Sequence, residues 1–134
     1  MADLKVIHAY RHLYRGLLHA VQFSKPARYT ALTQLRRAFR EKGAKYDARG
    51  IPRTIRFLAA AARERGLEHR VLKNLIMIAW HREDDAQKNW RSFQIEQRQN
   101  LTKKELEEHV QATVYKHYDM TIAMLNKSMG LCLR

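Results

Sequence analysis

Apolar residues recur at steps of three and four along most of the chain, which is the spacing of one face of an α-helix. The first segment carries an apolar stripe that consists of Val6, Ile7, Tyr10, Leu13, Tyr14, Leu17, Leu18 and Val21. Pro26 ends this helix, because proline disfavours helical geometry in the residue before it. A second helix follows, with the apolar face Tyr29, Leu32, Leu35 and Phe39. A polar, glycine-containing loop then occupies residues 41–50.

The third apolar stripe starts near Pro52, a residue that is favoured in the first turn of a helix. It continues through Leu58 and Leu72 to Ala79, with Gly66 midway. A glycine in this place allows one long helix with a weak point, or two helices with Gly66 as the C-cap of the first. Because no loop-length polar stretch surrounds the glycine, we expect one long helix.

The last third of the chain predicts two further helical segments. A short helix is expected around Trp90. Thr102 and Glu105 then have the spacing of a capping box, which predicts a helix to about Ser128 with Gly130 as its stop. The chain has only two prolines and five glycines, so little interrupts the helical pattern, and the predicted fold class is all-α.

Charge changes the picture from a generic helical protein to one that binds a polyanion. The 134 residues suffice for one modest core, and 26 Lys and Arg against 13 Asp and Glu give a formal net charge of +13. Residues 1–45 contribute +8 (ten basic, two acidic), residues 46–82 contribute +5 (eight and three) and residues 83–134 contribute zero (eight of each). Nucleic acid, an acidic protein or an anionic membrane would suit such a body, and a well-solvated basic surface is the simpler alternative.

Composition and spacing exclude several other classes. A single cysteine, Cys132, rules out an intrachain disulfide and a cysteine-cluster metal site. The best apolar run, residues 75–80, is about a third of the length that a transmembrane helix needs. His8 and His12 lie one helical turn apart but lack a third ligand, and no catalytic spacing or glycine-rich phosphate loop occurs. We therefore expect no enzyme, no metal site and no cofactor of the protein's own.

Two short motifs resemble a known family. The tripeptide Leu13-Tyr14-Arg15 lies in the first predicted helix, and the second helix carries RYTALTQLRRAFRE, residues 28–41. The pair resembles the LYR family of small mitochondrial adaptors. The second stretch is similar to the corresponding helix of the adaptor that supports the mitochondrial cysteine desulfurase. The resemblance covers residues 5–80.

The resemblance implies an architecture and a partner. The architecture is an antiparallel three-helix LYR bundle at residues 1–82 with a helical C-terminal extension at residues 83–134. The implied location of the protein is the mitochondrial matrix or the periphery of the inner membrane. The partner is the acidic mitochondrial acyl carrier protein, whose serine carries 4′-phosphopantetheine with a fatty acyl chain. Its carboxylates and its phosphate would meet the guanidinium groups of the two motifs. The implied carrier-binding set is Tyr14, Arg15, Arg36, Arg37, Phe39, Arg40 and Lys42.

The acyl chain is expected to lie between the three helices, where burial contributes about 0.8 kcal/mol per methylene. Small residues would leave room for the chain, and the implied tunnel lining is Leu18, Leu35, Ala38, Leu58, Ala59 and Ala62. The alanines suit close helix packing without a tunnel equally well, and both interpretations stay open at this point.

The resemblance stops near residue 82, and the extension is the expected client-binding segment. The implied client-binding set is Trp90, Phe93, Val110, Val114 and Tyr118. The alternative is that this helix packs back on the bundle as ordinary core. The expected client is the mitochondrial ribosome or its assembly intermediate, followed by a respiratory complex or its assembly factor, and by the iron–sulfur machinery.

A hypothesis of another class is a basic helical protein that binds RNA directly. Arginines and lysines interleave with aromatic residues, which could hold phosphates and stack on bases, although no recognised RNA-binding motif occurs. A contact with rRNA also fits the adaptor hypothesis. The arginines left for it outside the carrier-binding set are Arg49, Arg53, Arg56, Arg63 and Arg70.

Overall fold

The computed structural model describes residues 3–87 and 104–134, and both ranges are mainly helical. The helices of these ranges are α1 (Leu4–Ala20), α2 (Ala27–Arg40), α3 (Gly50–Arg63), α4 (Leu67–Gln87) and α5 (Lys104–Met129). The all-α prediction is therefore confirmed for this part of the chain. None of these helices is both long and apolar enough to cross a bilayer. The predicted short helix at Trp90 and the capping box at Thr102 fall outside the described residues.

Side chains and glycines set two of the helix ends. Asp47 precedes α3, and its Oδ1 accepts hydrogen bonds from the backbone N–H groups of Arg49 (3.0 Å) and Gly50 (2.9 Å). The helix therefore starts two residues before Pro52, which keeps its place in the first turn, where no N–H is needed. α5 stops at the predicted glycine, Gly130, whose φ of +65° lies in the left-handed region that glycine adopts without strain.

The prediction of one long helix through Gly66 is wrong. α3 ends at Arg63, and Glu64 has an extended backbone (φ −130°, ψ 147°). Gly66 is not the C-cap of α3 either. Its carbonyl accepts a hydrogen bond from the N–H of Arg70 (3.2 Å), so it occupies the N-cap position of α4, where glycine is tolerated. A glycine inside a helix costs about 1 kcal/mol relative to alanine, and the break removes that cost.

The first four helices pack around one core. α1 packs against α2 and α3, and α4 packs against α2 and α3. Gly16 of α1 faces Leu58 of α3, and a Cβ built on Gly16 would lie 3.4 Å from Cδ1 of Leu58, at ordinary van der Waals contact. α1 and α2 are antiparallel, because Tyr10 in the first half of α1 meets Phe39 in the last turn of α2. The buried core cluster is Ala9, Leu13, Ala20, Leu35, Ile51, Phe57, Leu58, Ala61, Leu72, Leu75, Leu131 and Leu133.

The C-terminal tail, the four residues after Gly130, folds back into this core. Leu133 is 8% exposed, and its backbone is held by Asn126 of α5 through a donated bond (Nδ2 to O, 2.7 Å) and an accepted one (N to Oδ1, 2.9 Å). The N–H of Cys132 donates to Oγ1 of Thr54 in α3 (3.0 Å). The end of the predicted extension therefore completes the core of the first four helices, and the predicted boundary after residue 82 falls inside α4.

Candidate functional site

The two motifs that resemble the LYR family lie on neighbouring helices. Tyr14 of α1 and Phe39 of α2 are partly buried, and both pack against Tyr10, with ring centroids 6.1 and 5.2 Å apart. We call these three rings the aromatic seam. Arg15 lies on the exposed face of α1, and Lys42 is exposed after the end of α2. The guanidinium of Arg15 is therefore free to meet a group outside the core.

Three of the four arginines of α2 share one groove. Arg36, Arg37 and Arg40 are exposed, and all three line an open depression of about 620 Å³, which we call the arginine groove. The tail contributes a fourth arginine, Arg134, which pairs with Glu41 at the edge of the groove. The remaining two cations of the carrier-binding set do not line it. Arg134 was not predicted from the sequence, because no pattern in residues 131–134 indicates that the tail returns to α2.

Arg37 differs from its neighbours in having an acidic partner on another helix. Its Nη1 lies 3.4 Å from Oε1 of Glu83 in α4, and Nε2 of Gln34 donates to the same oxygen (3.2 Å). The Arg37 side chain is still 64% exposed, so this ion pair orients the guanidinium and adds little stability. Within the described residues, no ion pair forms at Arg36 or Arg40.

An apolar cavity of about 110 Å³ lies in the core between the first four helices and the tail. Three residues of the implied tunnel lining are among its walls: Leu35, Ala38 and Leu58. Leu18 and Ala62 are partly buried but do not line it. Ala59 is exposed on the outer side of α3, which corrects its implied place in a tunnel.

The size of the cavity limits what it can hold. A dry cavity of ~150 Å³ accommodates a molecule of the size of benzene, and this one is smaller. Leu133 of the tail forms part of its wall, together with Leu72 and Leu75 of α4. A long acyl chain therefore does not fit while the tail occupies the core.

The implied client-binding set divides between two sides of α5. Val110 and Val114 are about half exposed, as is Met120, and Met124 is 70% exposed, so the outer side of α5 presents apolar side chains to solvent. Trp90 and Phe93 lie outside the described residues.

Tyr118 belongs instead to the side of α5 that meets α4. Its ring centroid lies 5.9 Å from the guanidinium of Arg82, which also lies 4.6 Å from the ring of Tyr115 and donates to Oδ1 of Asp119 (2.8 Å). Burial raises the pKa of Tyr118, and among the described residues its hydroxyl has no hydrogen-bond partner. Tyr118 therefore helps to hold α5 on α4.

The single cysteine lies in a setting that suppresses its reactivity. Sγ of Cys132 lies 3.4 Å from Oδ2 of Asp47. Desolvation raises the pKa of Cys132, and the neighbouring carboxylate raises it further, whereas nucleophilic cysteines need a lowered pKa. In residues 3–87 and 104–134, no three His, Cys, Asp or Glu side chains gather closely enough to hold a metal ion.

Comparison of the chain with protein-family models, with curated proteins and with solved structures gives no match. The aromatic seam, the arginine groove and the apolar cavity are the features of the described residues that bear on function.

Proposed function

We propose that the protein is a non-catalytic LYR-type adaptor of the mitochondrial matrix, which binds acylated acyl carrier protein and attaches it to a larger assembly. The observation that carries the proposal is the pairing of the two motifs. Tyr14 and Phe39 belong to one aromatic seam, and exposed arginines stand beside it on both helices. An acidic partner that presents carboxylates and a phosphate matches such a surface.

The proposed LYR bundle has an interrupted third helix. α1 and α2 supply the first two helices, and α3 and α4 together take the place of the third, with the break at residues 64–66. The packing of α3 on α1 and of α4 on α2 supports this arrangement. α4 also packs on α3, so the two parts do not continue along one axis.

The acyl chain enters the core in exchange for the tail. Leu133 lines the apolar cavity next to Leu35 and Leu58, so its departure would open apolar space among residues of the implied tunnel lining. The tail is held to the rest of the protein by short-range polar contacts, at Asn126 and Thr54, and by the pair of Arg134 with Glu41. The apolar area that the leucines lose is offset by burial of the acyl methylenes.

The client is a mitochondrial ribosome or its assembly intermediate, and α5 is the segment that contacts it. The apolar outer side of α5, with Val110 and Val114, is left uncovered by the first four helices, and apolar patches of this kind mark interaction surfaces. A respiratory complex, its assembly factor or the iron–sulfur machinery would use the same side of α5.

Capture of purified carrier protein tests the carrier surface. Tagged adaptor is mixed with myristoyl carrier protein and, separately, with a carrier whose modified serine is replaced by alanine. Arg15→Ala, and Arg36→Ala with Arg40→Ala, should weaken capture of the acylated form about tenfold or more without changing the circular dichroism spectrum. Arg56→Ala is the matched control on α3 and should leave capture unchanged.

Two results would contradict the carrier proposal. One is equal capture of the acylated carrier by every variant. The other is salt-sensitive binding of an RNA oligonucleotide without any capture of carrier protein, which would select the direct RNA-binding hypothesis instead.

Surface variants test the client side better than truncation does. A chain that ends after Arg82 lacks the tail leucines and so loses part of the core. Val110→Asp with Val114→Asp changes only exposed positions, and should keep carrier capture while removing the protein from large complexes in mitochondrial extracts. Met124→Asp, also on the outer side, tests how far the surface extends. Unchanged migration of the Val110 and Val114 variant with large complexes would contradict a client role for α5.

A further inference from the structure

A second groove lies between α4 and the turn that joins α1 to α2, apart from the aromatic seam and the arginine groove. It is open to solvent and has a volume of about 780 Å³, and we call it the α4 groove. One wall is the face of α4 that carries residues three and four apart, from His69 to Trp80. The other wall is uncharged and includes Val21 and Pro26. Leu72 is a buried residue that also lines this groove.

Charge and apolar surface are separated along the α4 wall. Arg70 and Lys73 are exposed at the N-terminal end, and Arg65 lies next to them in the turn before α4. Met77 (45% exposed) and Trp80 (42% exposed) occupy the C-terminal end. No Asp or Glu of the described residues lines the groove.

His69 adds a polar group at the cationic end. Its Nδ1 lies 3.3 Å from the carbonyl oxygen of Ala61, which can only accept a hydrogen bond. The Nδ1 atom therefore carries the proton, and Nε2 is left for another partner. The positive end of the α4 dipole favours an anion at the same end.

We infer that the α4 groove binds a free single-chain anionic amphiphile, with its acidic head at Arg70 and Lys73 and its acyl chain along Met77 and Trp80. The separation of charge from apolar surface matches one head group and one tail. The inference does not depend on the proposed carrier function, because it uses neither of the two motifs nor the core cavity.

The dimensions of the groove suit a single lipid chain. The eleven-residue rise from His69 to Trp80 is about 16 Å, close to the ~15 Å half-thickness of a bilayer's hydrocarbon core, which one acyl chain spans. The observed volume lies within the range of small-molecule sites, about 300–1,000 Å³.

Fluorescence quenching of Trp80 provides the test. The chain has two tryptophans, so Trp90→Phe leaves Trp80 as the single reporter. Stearate brominated in mid-chain is titrated into this protein, since bromine quenches a tryptophan only on close contact. Dodecylphosphocholine serves as the competitor with no net charge on its head group, and inorganic phosphate as the competitor with no chain.

Saturable quenching by brominated stearate is the expected result, with neither competitor displacing it at equal concentration. Arg70→Glu with Lys73→Glu should weaken stearate binding about tenfold or more. Arg56→Glu with Arg63→Glu changes the net charge equally at exposed positions outside the groove, and should leave binding unchanged. Absence of Trp80 quenching, equal binding by both double variants, or displacement by dodecylphosphocholine would each overturn the inference.

Discussion

α1 meets α3, and α5 meets α4, through contacts of different physical kinds. Between α1 and α3, Gly16 faces Leu58, the most completely buried large side chain of the described residues, at 2% exposure. Between α4 and α5 lies the ion pair of Arg82 with Asp119, whose side chains are 38% and 61% exposed. The contact between α1 and α3 excludes water, whereas the contact between α4 and α5 stays partly hydrated. We therefore expect the first to contribute most to the free energy of unfolding, and the second to orient α5 on α4.

The tail adds a third contact to this comparison, and it is apolar like the first. The two leucines of the tail, which follow α5 after Gly130, belong to the same core cluster as Leu58. The C-terminal end of α5 is thus fixed by apolar burial, while its middle is fixed by polar and aromatic contacts around Arg82. A protein that must release its tail to admit an acyl chain would keep α5 in place through the polar contacts alone.

Truncation of Leu58 should give the largest loss of stability. Leu58→Ala leaves a cavity between α1 and α3, and is expected to lower the free energy of unfolding by about 3–5 kcal/mol. Urea denaturation followed by circular dichroism measures the loss. Leu67→Ala is the matched control, because Leu67 is 73% exposed, and it should cost less than about 0.5 kcal/mol. Similar losses of unfolding free energy for the two variants would show that the contact between α1 and α3 does not stabilise the fold more than an exposed position does.

Truncation in the tail should come next. Leu133→Ala removes a side chain that is 8% exposed and is expected to cost about 2–3 kcal/mol, at the lower end for a leucine, because the tail lies outside the helices and can relax. Met124→Ala, on the outer side of α5, should change the unfolding free energy by less than about 0.5 kcal/mol. Thermal unfolding at several protein concentrations separates this effect from self-association. A neutral Leu133→Ala would mean that the tail contributes nothing to the core.

The spacing of apolar residues predicted the parts of the fold that depend on local sequence. The apolar stripe of α1 and the stop of α5 at Gly130 needed only neighbouring residues, and both agree with the structure. The run of four alanines from Ala59 to Ala62 has no alternation, so it could not show which of them faces outward. The break before Gly66 depends on how α4 packs against α2 and α3, which a single helix pattern does not contain.

Less of the candidate site could be predicted from the sequence, because it too depends on tertiary contacts. The arginine positions of α2 follow from helical spacing, and three of them do line one groove. Arg134 reaches that groove from a distant part of the chain and pairs with Glu41, and Glu83 of α4 pairs with Arg37, one of the lining residues. The α4 groove likewise combines segments that are separated in sequence, so its volume could not be predicted from one segment.

Loss of the ion pair between α4 and α5 should have a small effect. Asp119→Ala removes the partner of Arg82, and is expected to lower the free energy of unfolding by about 0.5–1 kcal/mol, because both side chains are partly solvated. A double-mutant cycle with Arg82→Met isolates the pairwise part. A coupling above about 2 kcal/mol would contradict the comparison drawn between the two helix contacts, since exposed pairs do not reach it.

The smallest expected effect is a pH dependence at the start of α3. Backbone hydrogen bonds from Gly50 and Arg49 lower the pKa of Asp47 below its ordinary value of 3.8. A carboxylate with a lowered pKa in the folded state stabilises that state above its unfolded pKa, and this stabilisation disappears as the pH falls through the folded value. The wild type should therefore lose stability below about pH 4 more steeply than Asp47→Asn, whose amide oxygen can still accept the backbone bonds. Chemical denaturation between pH 2 and pH 7 measures both profiles, and parallel profiles would mean that the carboxylate of Asp47 does not stabilise α3 through its charge.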